Sequence, residues 1–402
     1  MDPTPPGTNT LSPWRFVVGF GVVSLLGDAT YEGARSILGP FLAHLGASAL
    51  LVGLITGGGE AVSTVLRLAS GPLADRRSRR WKLTISGYAV NVIAVPLLAL
   101  ANAVWSAGLL VFAERSGKAM RAPARDSLLA DAGTVVGQGK AFAVHEAMDQ
   151  TGALAGPLLV SALLVAGSSY HAAFAVLAVP AAALLVVVAW LRRRVPDPDT
   201  FSGRQRTSAG HQDALSFSNL PARYFWYLGF AGLTMLGYAT FGVLSYHLAI
   251  HHIVTTAEIP LVYAAAMGTA AVVALAGGQA YTRIGLRSLV VLPVMAAIVP
   301  YLSFARSAGE VWAGAVVWGG AMGLHESTMR AAVADLVPAE LRGRAYGLFG
   351  AGYGMMWLGG GAVIGALYDV SIPTVRLFVT VVEVVALVAA VPLMARPAKR
   401  AT

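Results

Sequence analysis

Gly71-Pro72-Leu73-Ala74-Asp75-Arg76-Arg77-Ser78-Arg79-Arg80 closes one long apolar run, near residues 50–73, and leads directly into another, near 82–101. With Lys82, this short connection holds five cations and one acid between two runs of about 20 residues, the length that crosses the hydrocarbon core of a bilayer as a helix. Local physics assigns its parts. Gly71 allows a close helix approach at the membrane edge, Asp75 can face the positive N-terminal end of a neighbouring helix, and Arg76 adds to the positive surface. Arg79 can pair with a carboxylate; the expected partner is Asp126, and Asp75 is expected to meet a helix start near Gly343. The competing reading is a plain cluster of positive charge at the membrane surface, with no gating role.

Outward from that connection the pattern repeats. Of 402 residues, 56% are hydrophobic and only 12% charged, against about 25% charged in a typical soluble domain. So small a supply cannot coat a soluble chain of this size. Twelve apolar runs fall near 14–43, 50–73, 82–101, 105–124, 141–166, 172–192, 223–250, 258–281, 287–304, 310–331, 343–366 and 373–395. In lipid only helices and closed barrels satisfy their own backbone, and runs of this length are helices, so the fold class is an all-α membrane protein of 12 transmembrane helices. The N-terminal segment lacks a positive region before a short apolar one, so the first run is expected to remain as a transmembrane helix. With no cysteine, disulfides, thiolate nucleophiles, cysteine zinc sites and iron-sulfur clusters are excluded.

The net charge of +9 does not point to nucleic acid, because the cations sit in short connections between runs. Alternate connections hold Arg76 to Lys82, then Arg121, Arg125 and Lys140, then Arg192 to Arg223, then Arg283 and Arg287, then Arg342 and Arg344; the intervening ones offer only Arg306. The positive-inside rule then puts both termini in the cytoplasm. The longest polar stretch divides the chain into an N-terminal tail 1–13, a six-helix bundle 14–194, a linker 195–222, a second bundle 223–396 and a tail 397–402. An internal repeat agrees with this division. Met120-Arg121-Ala122 and Asp126 match Met329-Arg330-Ala331 and Asp335 at a shift of 209, and Gly139-Lys140-Ala141-Phe142 matches Gly343-Arg344-Ala345-Tyr346 at 204.

In this setting the 71–80 stretch resembles the loop signature of the major facilitator superfamily, G-x-L-A-D-R-x-G-R-R/K, with Ser78 in place of the second glycine. The resemblance implies two pseudo-symmetric six-helix bundles, and a latch at Asp75 and Arg79 that holds them together on the cytoplasmic side. Its second copy, Gly278 to Arg287, has Thr282 where the acid belongs. Glu114-Arg115-Ser116-Gly117-Lys118 is similar to the family's R-x-x-x-G motif, with a shorter spacing to the glycine. Gly152-Ala153-Leu154-Ala155-Gly156-Pro157 looks like the G-x-x-x-G-P motif of the family's exporter branch, although Gly-x-x-x-Gly is also ordinary helix packing.

Ionisable residues within the bilayer cost at least about 2.5 kcal/mol each, so they face a polar cavity or one another. Asp28, Glu32 and Arg35 share one face of the first helix; Asp28 is the expected proton carrier, with Glu32 as its carboxylate neighbour and Arg35 holding Glu32 ionised. The alternative is a closed network that only ties helices together. Glu114 and Arg115 lie at mid-depth, Arg115 beside the cavity, whereas Arg121 and Arg125 are expected at the cytoplasmic surface. His325, Glu326 and Arg330 supply the second half, Glu326 and Arg330 with the spacing of an intrahelical pair and His325 as a relay or a hydrogen-bonded packing residue. Glu60, Arg67, Glu146 and Asp149 read as structural partners, and Glu383 has no partner in sequence. Tyr31, Tyr238, Phe241, Tyr353, Met356 and Trp357 are candidates for a substrate wall. His247 and His251, four apart, could chelate a transition metal; otherwise no metal site is expected.

No Walker loop is present, so the energy source is an ion gradient or the substrate gradient, without a cofactor. The resemblance implies a secondary transporter, not an enzyme, working by alternating access; the acids of the first helix favour protons and the Gly152–Pro157 motif favours export. Proton-coupled efflux of a small amphipathic or anionic molecule is therefore expected, in a bacterial cytoplasmic membrane, by a monomer that engages substrate and lipid bilayer but no nucleic acid. A lipid-linked substrate flippase, a metal or metal-chelate exporter and a proton symporter are the other transport readings. A membrane enzyme or a transporter-like sensor is the remote one.

Overall fold

The computed structural model of the chain describes residues 11–74, 77–196, 201, 220–338 and 341–394. Fourteen α-helices follow one another among these residues: α1 Pro13–His44, α2 Ala49–Ala74, α3 Arg77–Leu97, α4 Val104–Val136, α5 Gln138–Val165, α6 Tyr170–Val176, α7 Ala178–Arg194, α8 Ala222–Leu236, α9 Phe241–Ile250, α10 Glu258–Ile284, α11 Val291–Ser303, α12 Ala308–Leu336, α13 Arg342–Val370 and α14 Ile372–Met394. Two pairs, α6 with α7 and α8 with α9, are interrupted single crossings. Counted so, the helices form twelve segments.

Local chemistry sets the ends. Ser12 caps α1 by accepting from the Arg15 N–H at 3.4 Å, and Pro13 starts the helix, where its missing donor costs nothing. The helix stops at Gly46, whose φ of 84° suits glycine, with Gly46 N–H donating to Ala43 O and Ala47 N–H to Leu42 O. α4 runs on to Val136 and does not end near 124, because Arg121 and Arg125 continue its buried face and do not form a surface turn. Seven stretches are long and apolar enough to cross a membrane by length and composition alone. Those seven do not include α1, α4, α12 or α13, whose charged and glycine-rich faces turn inward.

The helices pack as two groups of six crossings. α1 lies on α5, α3 on α4 and α2 on α4 in the first group; α13 lies on α8, α11 on α12 and α10 on α12 in the second. The groups meet along α2 with α13, α5 with α10, and α1 with α9. If each helix of the first group is matched to its counterpart six crossings later, the first two contacts exchange and the third maps onto itself. This is a pseudo-two-fold arrangement.

One side is closed tightly. A Cβ on Gly53 or Gly361 would strike the facing backbone, so the α2–α13 seam depends on both glycines. Asp369, at the end of α13, accepts from the Ala49 and Leu50 N–H groups at 3.1 Å each and thereby caps α2 across the seam. Thr56 and Thr240 hydroxyls meet at 3.0 Å, and Ser161 donates to Ala257 O at 2.7 Å. These contacts lie on the side opposite the arginine-rich connections.

Candidate functional site

Where α1, α2 and α4 converge beneath that closed side, charge is packed against charge. Arg35 lies 3.0 Å from Glu60 and 3.6 Å from Glu32; Arg115 lies 3.2 Å from Glu60 and 3.0 Å from Glu114. Asn91 of α3 donates to Glu114 at 2.6 Å, and Tyr263 of α10 donates to Glu32 in a short hydrogen bond. Lys118 donates to the Tyr31 hydroxyl at 3.2 Å, with its ammonium 4.3 Å from the ring centre. Three carboxyl groups thus face three cations. Glu32, Glu114 and Arg115 are each 6% exposed, so the network is inside the protein and not turned to lipid. Its balance is what makes such burial tolerable.

Two small cavities adjoin this network, each of about 20 Å³, room for about one water. Arg35 and Arg115 line both; the first continues to Tyr31 and Glu114, the second reaches Thr240, Phe241 and Trp357 of the other half. The polar centre therefore opens on both groups of helices.

One turn toward the arginine-rich side, Asp28 meets Asp149 of α5 within hydrogen-bonding reach. Ser24 donates to Asp149, and its hydroxyl stands 3.5 Å from His145 Nε2. The register comes from two glycines. A Cβ at Gly152 would collide with Leu25 O and one at Gly156 with Ala29 O, so α5 lies directly on α1 and carries Asp149 to Asp28. The two carboxyls touch, and neither has an ion pair among the described residues. Gly152, Gly156 and Pro157 thus act in packing within the first half.

The second half contributes aromatic surface. Tyr238 stacks on Trp318 at 5.4 Å, His325 sits 5.3 Å from Tyr238 and 5.6 Å from Tyr353, and Tyr353 meets Trp357 edge-on at 5.8 Å. Phe241 and Tyr263 join at 4.4 Å. Glu326 is solvent-exposed although at mid-helix, and its charged neighbours are Arg330, Lys118, Glu32 and Arg35. It therefore faces the first half across the space between the bundles.

Several expectations change here. Asp28 is partnered by Asp149, not Glu32, because Glu32 turns to Arg35 and Tyr263. No ion pair joins Arg79 to Asp126 among the described residues; Arg80 pairs with Asp131 at 2.7 Å and Arg125 with Asp126 at 2.9 Å, since Arg79 is on the exposed face of α3. Asp75 and Arg76 lie outside the described residues. Gly71 and Gly343 have open space where a Cβ would sit, so Gly71 is not a close-contact position. Arg121 is 2% exposed and stacked 4.5 Å over Tyr88, not at the surface.

Glu326 and Arg330 make no ion pair among the described residues, each being drawn into the space between halves. His325 is buried, and neither ring nitrogen is hydrogen-bonded among the described residues. Both nitrogens of His247 are engaged, by the Tyr368 hydroxyl at 2.6 Å and Ala305 O at 3.2 Å, which leaves His247 and His251 without a free chelating pair. No cluster of three metal-ligating side chains occurs among the described residues. Met356 is 39% exposed and packs on Gly232 of α8, away from the aromatic group.

Sequence reasoning placed Glu60, Lys118 and Asp149 outside the site and did not single out Asn91, Tyr263 or Trp318. Glu60 had a visible signal: it is the single charge in the run Thr56-Gly57-Gly58-Gly59-Glu60-Ala61. Tyr263 and Trp318 had none, since only long-range packing brings them in.

Comparison with known proteins agrees with this geometry. The family model of the Major Facilitator Superfamily matches residues 20–360. An uncharacterized protein of Mycobacterium tuberculosis is 50% identical over 379 residues, covering 94% of this chain and 92% of that one. An uncharacterized MFS-type transporter of Methanocaldococcus jannaschii is 29% identical over 149 residues, 37% of each chain. Among solved structures, the nucleoside transporter NupG aligns with a TM-score of 0.74 at 14% identity, covering 95% of this chain and 100% of that one. A bacterial homolog of the human lysosomal transporter Spinster, inward-facing and occupied, aligns with a TM-score of 0.72 at 16% identity, covering 94% and 95%. At such identities the likeness concerns the fold alone. The matched family model, together with the paired six-crossing bundles around a buried polar centre, makes this chain a membrane transporter of the Major Facilitator Superfamily.

Proposed function

We propose that the chain is a proton-coupled exporter of a small anionic or amphipathic molecule, working by alternating access in a bacterial cytoplasmic membrane with both termini in the cytoplasm. The observation that carries the reading is the contact between Asp28 and Asp149. A carboxyl pair that shares a proton in one arrangement and separates in another binds and releases that proton as α5 moves on α1, and this is what coupling requires.

The neighbouring network supplies the link to substrate. Lys118 and Arg121 are electrostatic neighbours of Asp28, and Lys118 is also a neighbour of Glu60, Glu32 and Arg115. An anion entering the space between halves would compete with Glu60 and Glu326 for these cations, and Tyr31, Tyr353 and Trp357 would cover its apolar part. The resemblance of Gly152–Pro157 to the exporter motif supplies the direction; protons moving inward would drive the substrate outward. Energy comes from the proton gradient without a cofactor, and one chain suffices.

The test begins with a thermal-shift screen of the purified protein against drugs, siderophores, sugars, organic acids and metals, which selects a stabilising compound. Flux of that compound into vesicles is then followed with and without a pH gradient. Wild type should show gradient-driven flux, and Asp28→Asn should bind the compound but lose the pH dependence. Unchanged pH dependence in Asp28→Asn would remove the carboxyl pair from the mechanism.

A further inference from the structure

A second titratable centre lies in the other half, away from the network above. Glu383, on α14, is 0% exposed, and neither carboxyl oxygen has a hydrogen-bond partner among the described residues. Its carboxyl lies against Gly237, where a Cβ would strike it, at the point where the seventh crossing is interrupted. α8 ends at Leu236 and α9 begins at Phe241, with Thr240 capping α9. The interruption is built into the core: Trp318 donates from Nε1 to Ala239 O at 2.8 Å, and the Tyr238 hydroxyl donates to Trp318 O at 2.8 Å.

Electrostatics decide what such a group can hold. The C-terminal end of α8 presents the negative end of its helix dipole to the carboxyl, so an ionised Glu383 would be opposed by the helix as well as by lack of water. Charged and titratable groups on the packed elements are turned elsewhere. Arg223 of α8 donates to Leu393 O, Tyr301 of α11 meets Thr380, Asp369 of α13 caps α2, and Arg376 of α14 donates to the carbonyls of Pro300, Tyr301 and Phe304. Tyr353 of α13 faces His325, and Arg287 is exposed in the turn before α11. Among the described residues no ion pair and no hydrogen bond reaches the Glu383 carboxyl. No cluster of three metal-ligating side chains surrounds it among the described residues.

We infer that Glu383 and the interruption at 237–240 form a proton-binding site separate from the Asp28–Asp149 pair. The carboxyl is kept as the neutral acid while the end of α8 is packed on α14, and its O–H breaks to release the proton to water when that packing loosens. Protonation of this half and movement of its interrupted helix are then one event.

Infrared difference spectroscopy of the purified full-length protein tests this without any transported substrate, so its failure is distinct from failure of the transport proposal. The expected result is a protonated-carboxyl band at neutral pH that is absent in Glu383→Gln, shifted in Glu383→Asp, and insensitive to replacing choline chloride with sodium chloride. Glutamine mimics the neutral acid and should leave the melting temperature unchanged. A band that is identical in wild type, Glu383→Gln and Glu383→Asp would overturn the inference. Loss of the band on adding sodium would overturn it in favour of a metal cation. Should the glutamine variant not fold, an unshifted band in Glu383→Asp would still decide against it.

Discussion

The two halves solve the same burial problem with opposite chemistry. In the first, Glu32, Glu60 and Glu114 interlock with Arg35 and Arg115, each within about 4 Å of an opposite charge, while Lys118 rests on Tyr31 beside them. In the second, the equivalent depth is filled by Tyr238, Trp318, Tyr353 and Trp357, and two ionisable side chains of that half, His325 and Glu383, make no hydrogen bond among the described residues. A pseudo-symmetric pair of bundles thus has one half that fixes charge and one that fixes shape. The difference shows that sharing a fold does not oblige the halves to share a role in binding.

The largest expected break in this comparison is Glu60→Gln. It leaves Arg35 and Arg115 without their common carboxylate and should cost about 3–5 kcal/mol, read as a lowered unfolding midpoint in detergent. His325→Phe, at the matching depth of the other half, should cost less than about 1.5 kcal/mol, because no hydrogen bond is lost. Equal costs would erase the contrast between charge and shape.

Arg80→Ala should follow at about 3 kcal/mol, because it breaks the buried 2.7 Å pair with Asp131, whereas Arg79→Ala should stay within about 0.5 kcal/mol. The reverse order would restore Arg79 as the pairing residue. In the aromatic half, Trp318→Phe removes the donor to Ala239 O and should cost about 1–3 kcal/mol, with faster amide exchange confined to residues 237–243. The smallest expected effect is that of Asp369→Asn. Loss of the charge capping α2 is worth about 0.3–1 kcal/mol and should widen the closed side, measurable by spin-label distances across the α2–α13 seam.

How much of this was legible in the sequence depends on the range of the interaction. The crossings, the two-bundle division and the polar first helix are periodic or local, and Glu32, Arg35, Glu114 and Arg115 were found because charge in an apolar run is conspicuous. Pairings between helices were not legible. Asp28 was matched with Glu32 on its own helix because the contact with Asp149 depends on how Gly152 and Gly156 set α5 against α1. The resemblance to the loop signature points to Arg79, whereas the phase of α3 relative to α4, which turns Arg80 inward to Asp131, cannot be read from either helix. Of the aromatic group, Tyr238, Phe241, Tyr353 and Trp357 were named as adaptable surface, but Trp318 joins them only through its stack on Tyr238 and its bond to the interrupted segment.

The most direct test of two bundles pivoting under control of Asp28 uses paired distances on opposite faces. Spin labels at Val135 and Ile284, both exposed near the arginine-rich ends of α4 and α10, report one face; labels at Val165 and Val370, exposed at the far ends of α5 and α13, report the other. In lipid vesicles, a shift from acidic to alkaline pH should lengthen one distance while shortening the other in wild type, and Asp28→Asn should hold both fixed. Distances that never change, that change in the same sense on both faces, or that respond to pH equally in Asp28→Asn, would contradict the account.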